Sequence, residues 1–298
     1  MRTTKRFTPQ VLARYERQGR GLGTFQDYSP WHQVTRGDPA SQGRSHLVHW
    51  RGRLRHLLSD LEWGAQLFGL MLPNVIDSTE QKPLFHESDV HPLAAYSMRG
   101  AGGAFPGTLE LGRELRIKHP RVRASADKKP WTMTTDLVLV LAGENGKMQM
   151  LAIAVKPKDW ASKTRTVDLL RLEREYWLRR GIPWLLITPD IWKKDVFLAL
   201  RRISIWSLAA PADPLLMRLA KEIAFERPLA TVTWLLEKME RQGARRHHCQ
   251  CALWQAVWYG LLPIDLNRSW RPQDPIRILS EGAFREQNPV ALRRSAWI

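Results

Sequence analysis

Cysteine is nearly absent: the 298 residues hold two, Cys249 and Cys251, separated by a single residue. They stand too close together to staple a fold, and such usage suits a reducing compartment. No apolar run approaches the roughly 20 residues that span a bilayer, and no lipidation motif occurs. The opening MRTTKRFTPQ lacks the apolar segment of a signal peptide. These absences lead to the expectation of a cytoplasmic protein with no membrane partner. Acidic residues are also short in supply, 29 Asp and Glu against 46 Lys and Arg, for a net charge of +17. A surplus of that size points to polyanions, because a basic side chain beside a phosphate releases condensed counterions. What is present in quantity is apolar: hydrophobic residues make up 44% of the chain, which excludes a disordered tail. The length suits about two domains at roughly 150 residues each.

The first 50 residues are basic and rich in Gly and Ser, and read as an arm draped over the core. Gly19, Gly21 and Gly23 make no dinucleotide fingerprint, since no strand precedes them and no helical pattern follows closely. From Arg55 to Met71 the apolar spacing, with Leu58, Leu61, Ala65 and Phe68 on one stripe, predicts a helix ended by Pro73 and Asn74. VIDSTEQKPL reads as a strand followed by a polar turn, residues 86–107 as a surface insertion, and Thr108 to Leu115 as a short helix. MTTDLVLVLAGENGKMQMLAIAVK is two apolar β-rich runs around a turn, a β-hairpin. Residues 163–180 form an amphipathic helix stopped by Gly181 and Pro183, and PWLLIT is a further buried strand. The order describes a mixed α/β core. Beyond residue 192 the pattern turns helical, with Trp254 and Trp258 on a core stripe, which predicts a small all-α or winged-helix-like module. The expected division is a basic arm at 1–50, a catalytic core at 51–195 and a helical partner-binding domain at 196–298. HHCQC (His247 to Cys251) is too crowded for a tetrahedral zinc site and reads as a helix end or surface loop.

Three charges stand where burial is expected: Glu62 in an apolar helix, Asp136 at the start of an apolar strand, and Lys156 at the end of its hairpin partner. Uncompensated buried charges are costly and tend to be kept for function. A two-residue turn at Asn145-Gly146 would put Asp136 and Lys156 on opposite faces, whereas a three-residue loop or a bulge pairs them on one face. The catalytic reading therefore needs an odd-length loop or a bulge. Glu62 and Asp136 suit Mg²⁺, a hard ion that takes few protein oxygens and keeps its waters, with Mn²⁺ as substitute. Lys156 would orient or help deprotonate a water. RGRLRH, with Arg51, Arg53 and Arg55, reads equally as a phosphate clamp or a solvated basic face; Lys158 is a further DNA-contact candidate. His56 and His119 read as packing or surface residues, with approach to the site as the alternative.

The stretches YERQGRGLGTFQDYSPW, SQGRSHLVHWRGRLRHLLSDLE, VIDSTEQKPL, LRIKHP, MTTDLVL, VKP and LEREYWLRRGIPWLLIT, in that order, resemble the TnsA family. The family comprises the endonuclease subunits of bacterial cut-and-paste transposases. The resemblance covers most of residues 10–190 and implies a restriction-endonuclease-like mixed sheet flanked by helices, followed by the mainly α domain. It also implies that Glu62, Asp136 and Lys156 are the catalytic triad, that the Val155 carbonyl joins Glu62 and Asp136 on the metal, and that Glu80 and Glu173 are supporting acids. The implied partners are DNA at the transposon ends, a TnsB-like transposase and a TnsC-like AAA+ regulator. The pattern departs at one position: Ala154 stands where such nucleases carry Glu or Gln. Either the backbone carbonyl suffices for an active site, or the protein is a catalytically weakened DNA-binding assembly subunit.

Overall fold

The computed structural model describes residues 7–39, 44–96, 103–124, 127–143, 146–268 and 272–297. The chain forms two units, residues 1–65, 74–188 and 296–298 in the first and 66–73 and 189–295 in the second.

The first unit begins with α1 (Pro9–Arg17), started by the Thr8 side chain accepting from the Val11 N–H and by proline in the first turn. Its Leu12 and Tyr15 are buried with Trp31 and Val122. The expected arm thus carries a helix with a core of its own, hidden in the sequence by the surrounding arginines. The glycines that follow serve the loop. Gly21 has φ +82°, and a Cβ there would stand 2.2 Å from the Pro83 ring.

β1 (His46–Trp50) and β2 (Arg53–Leu57) make a hairpin turned at Arg51 and Gly52, both at positive φ (46° and 77°). The helix expected from Arg55 is α2 (Asp60–Leu70), and residues 55–57 are strand. The inward positions of β2 are Arg53, Arg55 and Leu57, so two arginines occupy the places where a period-two pattern shows apolar residues. β3 (Val75–Pro83) runs through the expected polar turn, with Asp77 to Gln81 all buried. Within the expected insertion lie β4 (Asp89–Val90) and β5 (Ala104–Phe105), and α3 (Thr108–Glu114) follows. A hairpin of β6 (Arg121–Ala124) and β7 (Asp127–Pro130) was not signalled by the sequence pattern.

β8 (Thr134–Ala142) and β9 (Met148–Val155) are the expected apolar pair. α4 (Lys158–Ala161) and α5 (Thr164–Leu178) lead to β10 (Trp184–Ile187), with Gly181 at φ +67° past the helix end. The sheet order is β10-β9-β8-β3, parallel in the first pair and antiparallel in the others. It is the mixed sheet flanked by helices, and β8 and β9 are its central strands. Burial on both faces is why they read as continuous apolar runs rather than alternation. Beyond β10 the Ala296 N–H donates to the Leu186 carbonyl at 2.8 Å, and the Trp297 ring lies against Trp184.

β8 ends at Ala142 and β9 begins at Met148, an odd spacing, with the Gly143 N–H donating to Lys147 O at 2.7 Å. The turn expected at Asn145-Gly146 falls partly outside the described residues. The register pairs Leu137 with Ile153, which by continuation sets Asp136 across from Ala154. Lys156 follows two positions later on the same face.

The second unit holds α6 (Lys194–Ser207), α7 (Pro214–Glu226), α8 (Val232–Glu240), α9 (Arg246–Trp258) and α10 (Glu281–Glu286). α9 is its centre, with Trp254, Trp258 and both cysteines buried. The β-rich PIRIL forms only isolated bridges, Thr231 with Pro275 and Ile264 with Ile278.

Candidate active site

Helix α2 begins with a reciprocal cap. The Glu62 N–H donates to Ser59 Oγ at 3.1 Å, and the Glu62 carboxylate accepts from Ser59 Oγ (3.4 Å) and the Leu58 N–H (2.8 Å). SDLE is thus a variant of the capping box, its carboxylate reaching the N–H one residue before the Ser59 cap, and it places the helix start at Ser59. It also fixes Glu62 at the mouth of a cleft of about 750 Å³ lined by Asp136, Val155, Lys156 and Glu173. Asp136 is held from β9: its Oδ2 accepts from the Val155 N–H and from Lys156 Nζ, each at 2.7 Å. Lys156 Nζ also donates to the Val155 carbonyl at 2.9 Å. The structure therefore brings Glu62, Asp136, Val155 and Lys156 into one cleft.

The electrostatics are those of an acidic cluster with one cation. Burial, and after it the charge of Asp136, raises the Glu62 pKa to about 8. Glu173, accepting from Thr135 Oγ1 at 2.8 Å and from Trp184 Nε1 at 3.4 Å, is raised to about 7, chiefly by burial. Burial alone would lower Lys156, but Asp136 and then Glu173 outweigh it and hold the ammonium above its ordinary range. Two carboxyls pushed towards their neutral form beside a third is an arrangement that added positive charge would relieve. Glu62, Asp136 and the Val155 carbonyl form a hard oxygen set of the kind Mg²⁺ accepts with its remaining waters. Among the described residues no three His, Cys, Asp or Glu side chains form a metal cluster, so a cation here needs backbone or water oxygens. Ala154 is fully buried and offers no side-chain donor.

Other sequence candidates lie elsewhere. Glu80, expected as a supporting acid, is fully buried outside the cleft and clamped by both nitrogens of Arg53 at 2.7 Å. It also accepts from the His56 N–H at 2.9 Å. Arg53 and Arg55 are equally buried: Arg55 donates to the Ser78 carbonyl and lies 3.7 Å from both Asp77 and Glu80. Their guanidiniums face inward along β2, so neither can clamp a phosphate. Arg51, in the hairpin turn, is exposed, with Nη1 donating to the Ile76 carbonyl at 2.7 Å. Lys158 is exposed in the first turn of α4. His56 accepts from the Val34 N–H and His119 lies 3.0 Å from Thr108 Oγ1, both outside the cleft.

Two groups escaped the sequence reading, one behind the Glu62 carboxylate and one lining the cleft. Gln81 is buried at φ 51°, and its Nε2 donates to Glu62 Oε2 at 3.1 Å while its Oε1 accepts from Thr134 Oγ1 at 3.2 Å. STEQ draws attention to its acid, whereas the amide beside it is the residue that reaches the site. His32 stacks on Trp131 with centroids 5.5 Å apart, and burial lowers its pKa to about 4, leaving it neutral at physiological pH. No local pattern marks it.

Residues 73–189 match a family model described as the TnsA-like endonuclease N-terminal domain. The Tn7 transposition protein TnsA of Escherichia coli is 35% identical over 184 residues, covering 61% of this chain and 58% of that protein. The chain therefore aligns with less than two thirds of that relative's length. Asp136, Ala154 and Lys156 fall inside the matched stretch; Glu62 precedes it.

Proposed function

We propose that this chain, whose residues 73–189 match the TnsA-like endonuclease model, is a metal-dependent DNA endonuclease of transposition. The observation that carries the reading is the cleft in which Lys156 bridges Asp136 and the Val155 carbonyl while Glu62 faces them from α2. Asp136 and Glu62, with the Val155 carbonyl, would hold Mg²⁺ or Mn²⁺. The ion's contribution is charge against the attacking and leaving oxygens of a phosphodiester. Asp136 also positions the ammonium of Lys156, which stays protonated and offers its charge to the phosphate or orients the water. Gln81 and the Leu58 N–H fix the Glu62 carboxylate. The proposed substrate is the 5′-end strand of a transposon, cut alongside a TnsB-like transposase acting on the 3′ ends and under a TnsC-like AAA+ regulator. The proposed division of labour keeps the nuclease in the first unit and partner contacts in the helical second.

One observation favours a second reading. Ala154, directly across from Asp136, removes a donor from the centre of the site, as a catalytically weakened assembly subunit would. Reconstitution with the partner transposase on transposon-end DNA separates the two. Asp136→Ala is expected to abolish 5′-strand cutting and leave 3′-strand cutting intact. Identical 5′ cutting by variant and wild type overturns the nuclease reading, and absence of 5′ cutting in the wild type favours the assembly subunit.

A further inference from the structure

Outside the cleft, the strongest concentration of charge is a second concavity of about 1000 Å³ between α3, the β6–β7 hairpin and the start of α5. Seven arginines and lysines and no acidic residue line it. Arg113, Arg116, Lys118, Arg121, Arg123 and Arg165 are all exposed there. Two details show that the charge is kept at a cost. Arg123 stands directly across from Lys128 in the β6–β7 pair, and like charges facing each other across a ladder are destabilising. Arg116 holds a left-handed backbone at φ 56°, which a residue with a Cβ rarely adopts.

The concavity is continuous in the chain with the cleft. Pro120 lines the first and Trp131 the second, and the Trp131 N–H donates to the Pro120 carbonyl at 2.8 Å. Arg165 and Thr166, adjacent in α5, line one each. Both hollows thus flank one hairpin base and one helix start. From this arrangement we infer that the groove is the track for the sugar–phosphate backbone of the duplex whose scissile strand enters the cleft.

The groove reads charge and not bases, because flexible exposed cations over a shallow surface grip phosphates without sequence information. Each phosphate neutralised releases counterions, so binding should fall steeply with salt. The inference rests on the nuclease reading for the role of the bound strand, but not for the binding itself.

The test is fluorescence anisotropy of the full chain on a labelled duplex of about 40 base pairs, across about 50 to 200 mM salt. Arg121→Ala with Arg123→Ala should lower the slope of log affinity against log salt by about 2 and weaken binding at least about tenfold. Lys128→Ala, on the facing strand, should lower the slope by about 1. Circular dichroism should show all variants folded. Wild-type slopes in both groove variants overturn the inference. So does a wild type that binds anionic-lipid vesicles and not the duplex, or that binds no duplex at all. Groove-dependent binding without 5′ cutting in the reconstituted system leaves the groove standing and removes the nuclease. Normal cutting by variants with normal binding does the reverse.

Discussion

Two charge clusters flank β3, and their differences separate structure from chemistry. On one side Arg53 and Arg55 meet Glu80, Asp77 and the Ser78 carbonyl, all buried, with two guanidiniums for two carboxylates; the Nε of each arginine is left without a hydrogen-bond partner, and burial raises the Glu80 pKa. On the other side Glu62, Asp136, Glu173 and Lys156 line an open cleft with three carboxyls for one ammonium, and two of those carboxyls are pushed towards neutrality. A balanced buried network is what a fold tolerates, because each charge has a fixed partner. An unbalanced one facing solvent is tolerated only where something else completes it. The family-like position Glu80 belongs to the first kind, although its sequence setting resembles the second.

The sharpest way to break this comparison is to remove one charge from each side. Lys156→Ala is expected to lower 5′-strand cleavage by at least about a thousandfold, with the denaturation midpoint little changed, as read by reconstituted cutting and urea unfolding. Glu80→Ala is expected to do the opposite. It leaves the Arg53 guanidinium and the His56 N–H buried without their acceptor and should cost about 3–5 kcal/mol in unfolding experiments. Similar losses of stability in both variants would erase the distinction.

Protons sharpen it next. Glu62 binds its proton more tightly folded than unfolded, with a pKa near 8 against an ordinary 4.5, and Glu173 behaves alike, at about 7. These two carboxyls therefore lose stabilisation as pH rises, whereas the buried His32 and His119, each lowered from 6.5 to about 4, act in the opposite sense below about 6.5, so the net fall in stability is expected from about 6.5 to about 8. Without divalent metal, Tm should decline over this range. Glu62→Gln should flatten the decline, and added Mg²⁺ should oppose it in the wild type but not in Asp136→Ala. A Tm independent of pH from about 6.5 to about 8 in metal-free wild type contradicts the imbalance inferred for the cleft.

The smallest expected effect lies at Gln81. Gln81→Ala frees the Glu62 carboxylate on one side while the Leu58 N–H still holds it, so cleavage should fall by about tenfold. Gln81→Glu should fall further at high pH, where it adds a fourth negative charge, and an unchanged pH–rate profile would show that the amide only fills space.

Much of the core was legible because burial there is apolar. The runs of β8, β9 and β10 and the stripe of α5 announce themselves, and the odd-length loop needed to bring Asp136 and Lys156 onto one face is the one that forms. The β1–β2 hairpin and the full length of β3 were not legible, since their inward positions are Arg53, Arg55, Glu80 and Gln81, which a hydrophobic pattern counts as outside. Helix α1 was hidden for a similar reason, its short apolar face lying among arginines and followed by three glycines. Glu62, Asp136 and Lys156 stood out as charges interrupting apolar elements. Gln81 and His32 did not, because a neutral side chain in a polar stretch breaks no pattern.

The Ala296 N–H on the Leu186 carbonyl has a practical consequence for dissecting the protein. β10 is the border strand of the sheet, and a border with bare carbonyls and an uncovered Trp184 invites pairing with another chain. Residues 296 and 297 act as a selvedge, sewn onto that border from the far end of the sequence. A fragment stopped after residue 188 would carry every cleft residue and still lack its hem, so it should clump in solution unless a peptide spanning 296–297 is fused behind β10.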